Sequence, residues 1–231
     1  MLDFSSFGAL TFDCYGTLID WETGLLSTLH PILARNGVDL DDSKLLELYG
    51  ELEPAEQRRT YRTYKEVLGG VVVGLGDKLG FRPTLEDLHA LPKSLPTWQP
   101  FPDSLESLGR LKKKYKLGII SNIDDDLFAA TAKLLKTDFD CVVTAEQARG
   151  YKPSHKNFEM ALERLKLPRE QVLHCGQSLH HDIEPAKQLG IANVWVNRKS
   201  RRPGAGATKP STAKPDLEVP DLKMLANLAG V

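Results

Sequence analysis

The 231-residue sequence has only three cysteines, Cys14, Cys141 and Cys175, and none stands in a CxxC pair. That excludes a disulfide framework or a zinc ribbon and leads us to expect a reducing, cytoplasmic setting. No apolar run approaches the ~18 residues of a membrane span. No basic N-terminal segment precedes a long apolar stretch, so neither a membrane partner nor a signal peptide is expected. Net charge is almost absent, and a formal value of −1 gives no global pull towards nucleic acid or an acidic membrane surface. The one basic stretch, "RKSRRPGAGATKPSTAKP" from Arg198 to Pro215, has no aromatic residue to stack on a base. It reads as a surface loop. There is no internal repeat.

What the sequence does contain is alternation. Short apolar runs at Ala9–Asp13, Leu117–Ser121, Cys141–Thr144, Val172–Cys175, Asn193–Asn197 and Leu217–Val219 read as buried strands. Helical patterns lie between most of them. Asp103 with Glu106 is placed to cap a helix over Ser104–Tyr115, and Ser154 one that runs through Leu165. Asp124, Asp125 and Asp126 open another, where negative charge suits the dipole, and Gly190 ends one beginning near Asp182. The pattern predicts an α/β fold, a parallel sheet covered on both faces.

One region breaks it. From Trp21 to Trp98 the spacing is helical throughout. Leu25, Leu29, Ile32 and Leu33 form one face, ended by Gly37. Leu45, Leu46 and Leu48 belong to a second helix, expected to stop near Pro54. Tyr61, Tyr64, Val67, Leu68, Val71 and Leu75 suggest a third, weakened by Gly69 and Gly70, and Thr84 with Asp87 caps a short fourth. The chain then divides into a sheet core, 1–20 and 99–231, and a helical insert, 21–98.

Open parallel sheets bind ligands at the carboxyl ends of their strands. Four candidate segments fall there: Asp13–Thr17, Ser121–Asn122, Lys152, and Gly176–Asp182. Asp13 can act as a carboxylate nucleophile or as a turn residue, with Gly16 for the sharp turn and the Thr17 hydroxyl to orient a carboxylate. His180 and His181 adjoin Asp182, but neighbouring helical residues point apart and make poor joint metal ligands. Cys14 has no histidine nearby in sequence to activate it and reads as a small buried residue.

With those residues in that order, the chain resembles the haloacid dehalogenase superfamily, and within it most resembles the (S)-2-haloacid dehalogenases of type II. "DCYGT" is similar to the first motif, "SN" at Ser121–Asn122 to the second, "YKP" with Lys152 to the third, and "GQSLHHD" ending at Asp182 to the fourth. The resemblance implies a Rossmann-like core with a helical cap. It implies Asp13, Lys152 and Asp182 as catalytic residues, and Tyr15, Thr17, Ser121, Asn122 and Gln177 as substrate-binding ones. Superfamily phosphatases carry a second aspartate where this chain has Tyr15, and an aspartate that helps hold magnesium where it has Gln177. A phenol with a pKa near ~10 is a poor proton donor at neutral pH, and an amide is a weak ligand for a hard cation. Halide departure needs neither. The resemblance therefore implies a cofactor-free, metal-free hydrolysis of the carbon–halogen bond of a short 2-halo acid, through an ester on Asp13. Lys152 is expected to bring positive charge to Asp13 and to the substrate carboxylate. The halide-gripping arginine of those enzymes has no counterpart at Gly50, and Arg58, Arg59 and Arg62 stand as candidates for the role. Many family members are dimers, so a homodimer is compatible with the reading. Two alternatives stay open: a magnesium-dependent phosphatase with an unusual acid/base, and a non-catalytic member that binds a small anion.

Overall fold

A computed structural model of the chain describes residues 2–58, 60–198 and 206–231. Arg59 and the stretch 199–205 of the basic segment lie outside the described residues.

Among the described residues six strands form one sheet in the order β3-β2-β1-β4-β5-β6. They are β1 (Ala9–Phe12), β2 (Lys116–Ser121), β3 (Cys141–Thr144), β4 (Val172–Gly176), β5 (Ala192–Val196) and β6 (Leu217–Val219). Every pairing is parallel. The order reverses between β1 and β4, and such a switch point opens a crevice at the strands' carboxyl ends. Alternate residues feed opposite faces: Leu10 and Phe12 point into the larger apolar cluster, Ala9 into the smaller. This is the Rossmann-like α/β architecture the alternation predicts.

Within the insert, 21–98, the described residues form four α-helices, α1 (Trp21–Arg35), α2 (Asp42–Gln57), α3 (Tyr64–Leu79) and α4 (Leu85–Ser94). The rest are α5 (Ser104–Leu111), α6 (Asp125–Leu135), α7 (Ala145–Ala148), α8 (His155–Leu165), α9 (Glu184–Gln188) and α10 (Leu222–Leu228). Side chains of α8 and α9 join the smaller cluster; those of α5, α6 and α10 join the larger one, together with the four inserted helices.

Several local expectations are corrected. Helix α2 does not stop at Pro54 but runs through it. A mid-helix proline costs about 3 kcal/mol. Burial of Leu45, Leu46, Leu48 and Tyr49 on the same helix outweighs that at roughly 1.5–3 kcal/mol per large side chain. Gly69 and Gly70, read as weakening α3, lie inside it. A Cβ at Gly70 would run into the Glu56 side chain, and one at Gly74 into Leu52. These glycines are where α2 lies against α3. Asp103 stands at the start of α5 but makes no cap bond to it. Its carboxylate is taken by Arg198 at 2.9 and 3.2 Å and by the Leu222 N–H at 2.8 Å. Asp124 likewise leaves its own helix uncapped. It accepts the Tyr64 and Lys65 N–H groups at 2.7 and 3.0 Å, so it caps α3 of the insert from the sheet core. Lys65 adds an ion pair to Asp126 at 2.6 Å.

The insert rejoins the core at Trp98, whose ring is buried, bonds Ser94 Oγ through Nε1 at 3.1 Å, and meets the Tyr15 ring edge-on. Gly24 of α1 lies flat against that indole, and a Cβ there would fall inside the ring. Gly24→Ala gains about 1 kcal/mol of helix propensity, but overpacking a buried ring costs typically ~1–3 kcal/mol and occasionally more. We expect the variant's denaturation midpoint to fall with an unchanged slope. An unchanged midpoint would mean that Trp98 yields freely.

Candidate active site

β1 ends at Phe12, and the next residue, Asp13, continues the ladder by donating its N–H to the Cys175 carbonyl at 3.0 Å. The chain must then turn back at once. Gly16 does this with a φ of +94°, in the left-handed region open to glycine, and Leu18 and Ile19 donate back to the Cys14 carbonyl at 2.7 and 3.0 Å. The turn aims the Asp13 carboxylate at the mouth of the switch point. Thr17 donates its hydroxyl to Asp13 Oδ2 at 2.7 Å and accepts the Gln177 N–H at 2.9 Å, tying the β1 and β4 loops together.

Lys152 reaches the same point from beyond α7 and is fully buried. Its ammonium donates to Asp13 Oδ1 at 2.9 Å, Asp182 Oδ1 at 2.6 Å and the Ile120 carbonyl at 2.7 Å. An ammonium has three protons, so all are committed. In this arrangement the lysine orients Asp13 and brings positive charge to the cavity. Burial disfavours the Lys152 charge, yet Asp13 and Asp182 outweigh it and raise its pKa. Burial also works against the Asp182 carboxylate, but Lys152 and His174 hold its pKa well below the usual range. Asp13 goes the other way: burial raises its pKa, against the pull of Lys152 and with the help of the Asp182 charge.

Of the other expected site residues, Ser121 lines the cavity with a buried Oγ that has no hydrogen-bond partner among the described residues. Asn122 lines it too, but both ends of its amide hold the Lys152 backbone, at 2.7 and 3.2 Å, which makes it a clamp on the lysine's loop. Gln177 accepts the Thr208 hydroxyl on Oε1 at 2.9 Å. Tyr15 is turned to Thr131, hydroxyl to hydroxyl at 2.8 Å, and burial pushes its pKa well above the ordinary phenol value. His181 faces the cavity and His180 pairs instead with Glu184 at 3.2 Å. Burial lowers the His181 pKa to about 4, so the ring is neutral. Among the described residues no three His, Cys, Asp or Glu side chains converge as a metal-holding group.

Among the wall residues that escaped the sequence reading, three stand out. Ala207 and Thr208 belong to the basic segment read as a surface loop, yet Ala207 is buried and its N–H bonds Glu22 at 3.2 Å. Gly50 permits this, because a Cβ there would stand 2.8 Å from the Ala207 carbonyl oxygen. The third is Glu53 of α2, only 6% exposed. Its Oε1 accepts the Tyr64 hydroxyl at 2.6 Å and the Tyr49 hydroxyl at 3.3 Å, while Oε2 has no partner among the described residues. Burial raises its pKa to about 7, with the two phenols pulling down and the Asp13 charge pushing up. Its signal was in the sequence: Leu46, Tyr49 and Glu53 fall on one helical stripe, so a carboxylate sits among residues that face inwards.

The cavity these residues enclose is small, about 50 Å³. No arginine among the described residues lines it. Arg58 borders a separate hollow of about 440 Å³ along another stripe of α2, and Arg62 pairs with Glu56. Arg59 lies outside the described residues.

Comparison with known proteins gives a consistent picture at the level of family. A family model described as haloacid dehalogenase-like hydrolase matches residues 10–196. A glyceraldehyde 3-phosphate phosphatase of Methanocaldococcus jannaschii is 33% identical over 103 residues, 42% of this chain and 44% of that protein. An (S)-2-haloacid dehalogenase of Pseudomonas sp. (strain YL) is 27% identical over 229 residues, 95% of this chain and 93% of that protein. The chain spans about half the length of the relatives it matches at higher identity. In three dimensions, an L-2-haloacid dehalogenase from Xanthobacter autotrophicus, solved with chloropropionic acid covalently bound, superposes with a TM-score of 0.81. The match covers 97% of this chain and 98% of that one at 22% identity, a likeness of fold.

Proposed function

We propose that this chain, which belongs to the haloacid dehalogenase-like hydrolase family, cleaves the carbon–halogen bond of a small 2-halo acid, with Asp13 as the nucleophile. The observation that carries the reading is Tyr15. Two residues past the nucleophile stands a phenol bonded to Thr131, set against Trp98 and kept neutral by burial. The first half-reaction thus has no proton source at that place on the nucleophile's loop, which suits a leaving atom that departs as a stable anion. Halide does so.

In the first step an Asp13 oxygen bonds the halogen-bearing carbon as the carbon–halogen bond breaks, leaving an ester and halide. Lys152 holds the carboxylate in line and Thr17 steadies its second oxygen. The partnerless Ser121 hydroxyl is suited to the substrate carboxylate. The four inserted helices serve as a cap, held down by Asp124 at the head of α3 and by the Tyr151 hydroxyl on the Arg62 carbonyl at 2.8 Å. By limiting the water in the cavity, such a cap strengthens each of these interactions. The three buried, unpaired thiols suit a reducing cytoplasm. No helix among the described residues is long and apolar enough to cross a membrane.

One observation favours a second reading. Glu53 faces the same cavity with a pKa of about 7, and a phosphatase with an unusual acid/base could use it. Against this stand the cavity's charges. Asp13, Asp182 and Glu53 face one committed ammonium, and the Gln177 amide oxygen is occupied by Thr208. Such walls repel a dianionic phosphate ester more than a singly charged halo acid. Purified protein incubated with chloroacetate is expected to release chloride and glycolate in equal amounts, with chelator making no difference. Phosphate release from p-nitrophenyl phosphate that chelator abolishes, with no chloride from any short 2-halo acid, would reverse the assignment.

A further inference from the structure

Hydrolysis of an ester on Asp13 needs a base, and the carboxylates nearest the nucleophile are poorly placed to be one. Asp182 spends Oδ1 on Lys152 and His174 and Oδ2 on the Ser178 N–H. Held well below the usual range, it has little affinity for a proton. Across the cavity, Glu53 has one oxygen clamped by two phenols and the other without a partner among the described residues. The volume between, about 50 Å³, is of the order of one or two waters.

We propose that Glu53 is the general base of the second half-reaction, its Oε2 taking a proton from the water that attacks Cγ of the Asp13 ester. The inference rests on the carbon–halogen reading above. The water oxygen bonds Cγ and its proton passes to Glu53. The tetrahedral oxyanion then collapses, the Cγ–O bond to the substrate breaks, and the departing alkoxide takes the proton back from Glu53. The product is a 2-hydroxy acid. The Asp13 carboxyl, now carrying one oxygen from water, loses its remaining proton to solvent as it returns to the carboxylate. Glu53 ends as it began.

The pH dependence follows from the groups around it. Tyr49 lies on its own helix, Tyr64 on α3 and Tyr151 before α8; Asp13, Lys152, His181 and Asp182 face it across the cavity. The tyrosines hold their protons, Lys152 its charge, His181 stays neutral and Asp182 ionised, which leaves Glu53 at about 7 and Asp13, raised by burial above the ordinary carboxylate value. A base acts deprotonated, so kcat rises with pH through about 7. Tyr64 tells the two apart: its hydroxyl donates to Glu53 and not to Asp13. Removing that donor in Tyr64→Phe moves the rise to higher pH.

The experiment compares wild-type, Glu53→Gln and Tyr64→Phe proteins with chloroacetate. We expect Glu53→Gln to release about one chloride per protein in a burst and then slow by ~10²–10⁴-fold, the usual share of general base catalysis. Intact mass should show the carboxymethyl ester accumulating on the protein. If Glu53→Gln turns over like wild type, or loses burst and turnover together while its melting temperature is unchanged, the inference fails. It fails too if the Tyr64→Phe profile stays in place, a readout that decides the matter even where Glu53→Gln folds poorly. Wild-type protein that releases no chloride at all refutes the carbon–halogen reading itself and is told apart from these outcomes by that fact.

Discussion

Asp13→Asn will be inactive, by a factor of ~10⁴ or more, the scale on which removal of a covalent nucleophile is felt. The loss will not come from unfolding. Asp13 is buried, and burial raises its pKa. A raised carboxylate pKa means that ionisation at neutral pH costs stability, and an amide of the same shape removes that cost. Lys152 keeps Asp182 at 2.6 Å and the Ile120 carbonyl at 2.7 Å, so its charge stays paired. We therefore expect a melting temperature equal to or above that of the wild type, as when a residue kept for function opposes stability. The chemistry has its own signature. In the proposed reaction water attacks Cγ of the ester, so each cycle in heavy-oxygen water places a heavy oxygen in the Asp13 carboxylate. Peptide mass analysis after many turnovers should find the label on the segment holding Asp13 in the wild type. An unlabelled side chain in an active enzyme would show that water attacks the substrate directly, with Asp13 in another role.

How much of this was visible in the chain depends on whether a residue's partner is local. Asp13 could be read because strand, nucleophile, glycine turn and Thr17 follow one another within nine residues, Ala9–Thr17, and the fold places strand ends together. Lys152 and Asp182 have partners 139 and 30 residues away, and they were singled out by the resemblance of "YKP" and "GQSLHHD" to the family's motifs. Asp124 was not: its partners are backbone N–H groups 60 and 59 residues away, and no pattern in "NIDDDL" distinguishes a cap for α6 from a cap for α3. Asp103 misled similarly, since Arg198 lies 95 residues on. Pro54 and Gly70 were read by local propensity, and tertiary packing of α2 on α3 overrode it. Glu53 is the instructive case. In "GELEPAEQ" it looks like one more charge on a solvated face, and only its register with Tyr49 points inwards. The Gly50–Ala207 contact was beyond reach, because it joins the insert to a segment that composition alone marks as a loop.

The second large effect concerns Lys152. Lys152→Met keeps the length and volume of the side chain but leaves Asp13 and Asp182 buried without their common cation. Breaking a buried pair by removing one partner costs roughly 3–5 kcal/mol, which for a domain of this size lowers the melting temperature by about 10 °C. Activity should fall by ~10²–10³-fold or more, the cost of losing a preorganised electrostatic contact. The pH dependence identifies the cause. The depressed pKa of Asp182 contributes stability that is present above the ordinary carboxylate pKa near ~4 and is lost as pH falls through the lower folded value. The raised pKa of Lys152 contributes stability present below its unfolded pKa and lost only far into the alkaline range. Asp13 opposes both, since its raised pKa makes ionisation costly above ~4. Without the lysine, Asp182 joins Asp13 on the costly side. The variant should thus gain stability on acidification from pH 7 towards 5, as the two carboxylates take up protons, while the wild type does not gain to the same extent. Adding Asp182→Asn to Lys152→Met removes one stranded charge and should recover part of the lost stability without recovering turnover. A Lys152→Met protein as stable as wild type at pH 7, or one whose melting temperature does not rise on acidification, would show that the two carboxylates were never held apart from their protons by this ammonium, and that Asp13 is ionised by something else.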